Sequence, residues 1–185
     1  MKTVLVCNQK GGVGKTMIAD EIAFAFDKAR TPYNFYDLDN QGGSLHGAKE
    51  VKNAMVSIID TPGALQCDMI KWMKKASIVV IPTKMTPRDM TPLETMIELV
   101  KKANLSVPVI YVMNGWNRYR ATAEFTEWFD NTYPNQKTII VPQSESFTQA
   151  ALNNQSVCDY MPHGFPAEQI KLLTGIIKYE FRIKQ

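Results

Sequence analysis

The stretch Asn8-Gln9-Lys10-Gly11-Gly12-Val13-Gly14-Lys15-Thr16 decides how the rest of the chain reads. It follows a short apolar run, residues 3–7, with the character of a buried strand. It precedes a helical pattern over residues 17–30, with Ile18, Ile22, Ala25, Phe26 and Ala29 on one stripe. Small residues between a strand and a helix let backbone N–H groups turn inward around phosphate oxygens. The helix N-terminus adds its partial positive charge. Lys15 is placed to reach the β- and γ-phosphates of a nucleotide, and the Thr16 hydroxyl to ligate Mg²⁺. Gln9 occupies the place of the first glycine in the common G-x-x-x-x-G-K-[ST] pattern, so the loop is a variant of it. A glycine-rich turn without a ligand is the competing reading. A strand before, a helix after and Gly-Lys-Thr in register all speak against it.

Outward from this loop, strands and helices alternate. Strands are expected at residues 33–38, 54–59, 77–82, 108–114 and 138–142. Helices are expected at 65–75, 89–103, 121–131 and 165–183, the last with Ile170, Leu173, Ile177 and Phe181 on its apolar side. Most of the strands are apolar on both faces. The pattern predicts an α/β, doubly wound, mostly parallel sheet with helices on both faces, forming one domain over residues 1–185. Ligands of such sheets bind at the carboxyl ends of the strands.

The chain has 185 residues, 45% of them apolar and 21% charged, which is ordinary for a globular domain. Its apolar runs are far too short to span a membrane, and its N-terminus lacks the pattern of a signal peptide. Cys7, Cys67 and Cys158 have neither paired nor metal-ligand spacing, and an odd count without an export signal points to a reducing cytoplasm. The formal net charge of +3 permits an anionic partner without demanding one.

Three acids stand at expected strand ends. Asp37 and Asp39, in Tyr36-Asp37-Leu38-Asp39-Asn40-Gln41-Gly42, are two apart and would point to one side if both were extended. They suit a Mg²⁺–phosphate site, and a turn built on Asp and Asn is compatible with that role. Asp60 closes the apolar run Ser57-Ile58-Ile59 and leads into Thr61-Pro62-Gly63, as expected of an acid holding Mg²⁺ through water.

Together these motifs resemble the ParA/MinD family of ATPases. Lys10-Gly11-Gly12-Val13-Gly14-Lys15-Thr16 is similar to that family's deviant Walker A motif, and Lys10 matches its additional lysine. The resemblance implies a P-loop NTPase fold, ATP and Mg²⁺ as cofactors, and a dimer in which Lys10 reaches the partner's nucleotide. An ammonium there would stabilise charge developing on the transferred phosphoryl group. It further implies that Asp39 positions the attacking water and that Asp37 lies near the metal's outer shell. Asn40 stands where the family usually has proline. Asn114, after Val112-Met113, resembles a residue that meets the adenine base, with a strand-end turn as the even alternative, and Pro142 resembles a residue bordering the base. Only 20 residues separate Asp39 from Asp60, fewer than the family usually carries, leaving room for one short helix at most.

For function, the resemblance implies a partition ATPase that binds nonspecific DNA, works with a centromere-binding ParB-type partner and is cytoplasmic, on the nucleoid when ATP-bound. Residues 1–185 leave no room for a separate DNA-reading domain. Candidate DNA contacts are Lys84, Arg88, Arg118, Arg120, Lys178, Arg182 and Lys184, although scattered basic residues are more often only a solvated surface. Two alternatives share the fold. One is a MinD-like ATPase docking on membrane through the terminal helix; the stripe from Ile170 to Phe181 argues for packing instead. The other is an accessory ATPase of conjugation or mobilisation.

Overall fold

Alternation along each strand explains the architecture. In the central strand Val4 and Val6 face one side, and Leu5 and Cys7 face the other. The same split divides Ile78 and Val80 from Val79 and Ile81, and Ile110 and Val112 from Tyr111 and Met113. Two apolar layers result, one on each face, because a strand with both faces apolar must be covered twice.

The computed structural model describes residues 1–39, 43–63 and 68–183. In chain order the elements are β1 (Lys2–Val6), α1 (Lys15–Lys28), β2 (Tyr33–Asp37), β3 (Val56–Asp60), α2 (Met69–Lys75), β4 (Ile78–Lys84), α3 (Pro87–Ala103), β5 (Val109–Trp116), α4 (Arg120–Thr132), β6 (Lys137–Pro142), α5 (Glu145–Leu152), α6 (Val157–Tyr160) and α7 (Phe165–Phe181). The strand order is β2-β3-β1-β4-β5-β6, and every ladder is parallel, not merely most of them. Residues of α1, α5, α6 and α7 fill one layer, and residues of α2, α3 and α4 fill the other. Ile170, Leu173, Ile177 and Phe181 are all buried, so α7 belongs to the core.

β1 lies between β3 and β4, and the chain changes direction across the sheet there. That switch point opens a crevice at the strand ends.

The expected elements are present with ends shifted by a few residues. The start expected at residue 65 for the second helix lies outside the described residues. Two short helices were not anticipated, α5 and α6. With 8 and 4 residues they carry little periodicity. Their signal was a serine cap: Ser144 Oγ accepts from the Ser146 N–H at 3.2 Å, and Ser156 Oγ from the Cys158 N–H at 3.0 Å. Between β2 and β3 the described residues form no helix. Instead Lys49 bridges Phe35 in the antiparallel sense, each N–H donating to the other's carbonyl at 2.9 Å. This covers the outer edge of β2.

Candidate functional site

The loop after β1 enters α1 without a side-chain cap. Gly14 is the N-cap of α1 with φ 97°, in the left-handed region. A Cβ at Gly14 would lie 2.2 Å from Asn114 Nδ2, so both conformation and space require glycine. Asn8, a polar residue just past the end of β1, was not singled out by sequence reasoning. It is fully buried; its Nδ2 donates to the Pro82 carbonyl at 2.7 Å, and its Oδ1 accepts the Lys10 N–H at 2.9 Å. It thereby ties the start of the loop to β4.

Gly11, Gly12, Gly14, Lys15, Thr16, Asp39, Pro62 and Gly63 line one cavity of about 490 Å³. Three separate strand ends therefore converge on it. Gly63 presses against the loop: a Cβ there would meet the Gly11 nitrogen at 3.2 Å and the Gln9 carbonyl oxygen at 3.3 Å. Lys15 is buried and its Nζ donates to the Lys10 carbonyl at 3.1 Å. Burial lowers its pKa, while the charges of Asp60 and Asp39 act the other way. Cys7 sits beneath, its thiol pushed by burial up to about 12 and therefore inert.

Asp60 has no exposed surface, and neither carboxylate oxygen forms a regular hydrogen bond. Burial raises its pKa to about 6, with the Thr16 hydroxyl and Lys15 opposing and Asp37 and Asp20 adding to the rise. A buried carboxylate without partners is costly unless something charged completes it. Asp60, with the Thr16 hydroxyl beside it, suits a Mg²⁺ that brings its own waters and phosphate oxygens. Among the described residues no three His, Cys, Asp or Glu side chains form a metal-binding group, so the nucleotide would have to complete the shell.

One expectation needs correction, and two groups of candidate residues can be placed. β2 ends at Asp37, so Asp37 and Asp39 do not extend side by side. Asp37 Oδ1 accepts the Asp39 N–H at 3.0 Å, which turns the chain there. Asn114 is buried, and its Nδ2 donates to the Val13 carbonyl at 2.8 Å. It braces the glycine-rich loop, and Pro142 ends β6, three strands from β1, in register with Trp116. The basic candidates do not form one patch. Lys84, Arg88, Arg118 and Arg120 lie at the carboxyl ends of β4 and β5. Lys178 and Arg182 lie at the opposite end of the sheet, where Glu180 meets Lys137 at the start of β6 at 3.7 Å. Arg120 pairs with Glu124 at 2.6 Å, and Lys184 lies outside the described residues.

Lys10 is held within its own chain. Its Nζ donates to Asp89 Oδ1 at 2.5 Å and to the Arg88 carbonyl at 3.1 Å. Asp89 is buried in the first turn of α3, where its Oδ2 also accepts from the Thr86 N–H and hydroxyl.

Residues 4–157 match the family model described as the CobQ/CobB/MinD/ParA nucleotide-binding domain. No curated protein sequence matches the chain. Among solved structures it is similar to an ATP complex of McdA from Cyanothece, with a TM-score of 0.77 and 16% identity over 100% of this chain and 98% of that one. It is also similar to MinD of Pyrococcus horikoshii with Mg-ADP, at 0.68 and 13% over 95% of each chain. A ParA family ATPase of Chlorobium tepidum scores 0.70 at 13% identity, over 94% and 97% of the two chains. Those identities speak for fold, whereas the family model covers most of the chain and reaches from the strand before the phosphate loop to the start of α6. The protein accordingly belongs to the CobQ/CobB/MinD/ParA nucleotide-binding family.

Proposed function

We propose that the protein is a Mg²⁺-dependent ATPase of the ParA type that ATP pairs into a dimer and that acts in DNA partition. The observation that carries this reading is the convergence of the loop glycines, Lys15, Thr16 and Asp39 around a single cavity, with the buried Asp60 beside the Thr16 hydroxyl. In it the loop and Lys15 bind and orient the phosphates. Thr16 and Asp60 hold the metal, which supplies charge neutralisation on the phosphoryl oxygens when bound. Asp39 orients the attacking water. Lys10, released from Asp89, reaches the second copy's nucleotide.

DNA is the proposed surface for action, with a small centromere-binding protein as partner. The four basic residues beside the site favour this, since pairing two copies would double the cluster. A membrane-docking role is less well supported, because the apolar side of α7 is covered by the domain. Among the described residues no helix is long and apolar enough to cross a membrane.

The test is cosedimentation of the ATP–Mg²⁺-loaded protein with random-sequence DNA and with anionic liposomes, across a salt series. DNA binding that requires ATP and falls steeply with salt supports the proposal. Binding to liposomes alone would reject partition in favour of a membrane-surface ATPase.

A further inference from the structure

The segment after Asp39 is fastened to α1 by a group of side chains that the site described above does not use. Thr16, Asp20, Phe24 and Asp27 follow one another at spacings of four, four and three residues, so they share a face of α1. That face begins at the Thr16 of the candidate site. The carboxylate of Asp20 receives the Leu45 N–H at 3.0 and 3.1 Å, the His46 N–H at 3.3 Å and the Ser44 hydroxyl at 3.1 Å. The His46 imidazole lies along the same face, Nδ1 2.8 Å from Asp20 Oδ1 and Nε2 3.1 Å from Asp27 Oδ2. Its side chain is only 8% exposed. Phe24 meets its ring edge-on at 4.3 Å between centroids, and Phe35 stacks on it at 5.7 Å. Asp27 is held in turn, accepting the Tyr33 hydroxyl at 2.8 Å with Lys49 Nζ at 3.6 Å.

From this geometry we infer that Asp20 and His46 are positioning residues for turnover: they clasp the chain beyond Asp39 onto the helix that carries Thr16. The inference rests on the proposed role of Asp39 in orienting water. On its other side Asp39 is already fixed by the bond from its N–H to Asp37. Asp20 stands about 6 Å along the helix from Thr16 at 1.5 Å per residue. Ser44 is five residues past Asp39, a reach of at most ~17 Å. Fixing both ends narrows the positions open to Asp39, and a water-orienting group loses rate steeply when displaced. The clasp replaces the helix that could have occupied this short connection. The imidazole side chain, packed between Phe24 and Phe35 with a ring nitrogen at Asp20, anchors the segment to α1.

The experiment compares ATP turnover with ATP–Mg²⁺ affinity by calorimetry in wild type, Asp39→Ala, His46→Ala, His46→Asn, His46→Gln and Ser44→Ala. Because Asp20 also acts on Asp60, the His46 variants are decisive. His46→Ala is expected to lower kcat about tenfold while the affinity stays within about twofold. Asn places its amide near the former Nδ1 and keeps the contact to Asp20, so it should restore more of kcat than Gln, which reaches toward Asp27 instead. Ser44→Ala, losing one hydroxyl, should fold like wild type and lower kcat about two- to threefold. The inference is overturned if His46→Ala turns over at the wild-type rate, if affinity falls in step with kcat, or if Gln rescues as well as Asn. An active Asp39→Ala would remove the reading of Asp39 and the clasp's role with it. An inactive Asp39→Ala beside a fully active His46→Ala would remove the clasp alone.

Discussion

Lys10 and Asp89, 79 positions apart in the chain, are joined Nζ to Oδ1 at 2.5 Å. The lysine proposed to reach a second copy's nucleotide is thus turned onto α3 of its own chain, and the proposed pairing through Lys10 would first have to break this contact. Asp89→Asn removes the charge and keeps a group able to cap α3. An ion pair with one third-exposed partner contributes about 1 kcal/mol. The expected outcome is an ATP-dependent dimer tighter by about fivefold, read by sedimentation velocity with ATP–Mg²⁺. Unchanged or weaker pairing would show that the contact does not compete with dimerisation.

Lys15 and Asp39 line the same cavity, and the proposed function gives them separate duties. Lys15→Ala should weaken ATP binding by about 100-fold or more, through loss of a charge-assisted contact to phosphate. Asp39→Ala should leave affinity within a few-fold and lower turnover by about 100-fold or more. Calorimetry and steady-state phosphate release separate the two. A Lys15→Ala protein with native affinity would rule out the assigned phosphate site.

Asp60 predicts a pH dependence. Its carboxyl in the fold is raised to about 6 from 3.8, so the folded state holds a proton that the unfolded state has released. The stability linked to that proton is complete below pH 4 and is lost as pH rises through about 6. At pH 7.5 the buried, ionised carboxylate costs roughly 3 kcal/mol. Asp60→Asn should therefore stabilise the nucleotide-free protein at pH 7.5 by up to about that amount, with the gain vanishing near pH 4. Mg²⁺-dependent ATP binding needs the ionised form and should weaken below pH 6. Urea denaturation and calorimetry at pH 4.5, 6 and 7.5 check both signs.

Gly14 and Asn114 are coupled by space. Gly14→Ala meets the Asn114 amide and a positive φ, and should cost roughly 1–3 kcal/mol. Asn114→Ala relieves the collision but leaves the Val13 carbonyl without its donor. The double variant should be more stable than the sum of the two single effects, measured by urea denaturation. Simple additivity would mean that the loop relaxes away from Asn114.

How far the chain could be read without coordinates follows the range of each interaction. Alternating and helical apolar patterns are local, and they placed β1 through β6 and the longer helices. The phosphate loop was legible for the same reason, since its nine residues contain the glycines, the lysine and the hydroxyl in one run. α5 and α6 escaped because so few residues cannot display a period. Asp37 and Asp39 misled because a strand pattern says nothing of where the strand stops; that was decided by the Asp37 carboxylate capping the Asp39 N–H.

The sequence alone established the chemistry available: a phosphate loop, three acids at strand ends, and a two-sided sheet to present them. Tertiary structure alone decided which groups meet. Strand order sets Asn114 against Val13, Asp89 against Lys10, and His46 between Asp20 and Asp27. Such contacts join distant segments, and no local period encodes them. They exist because packing two apolar layers onto one sheet leaves each polar side chain a single set of partners within reach.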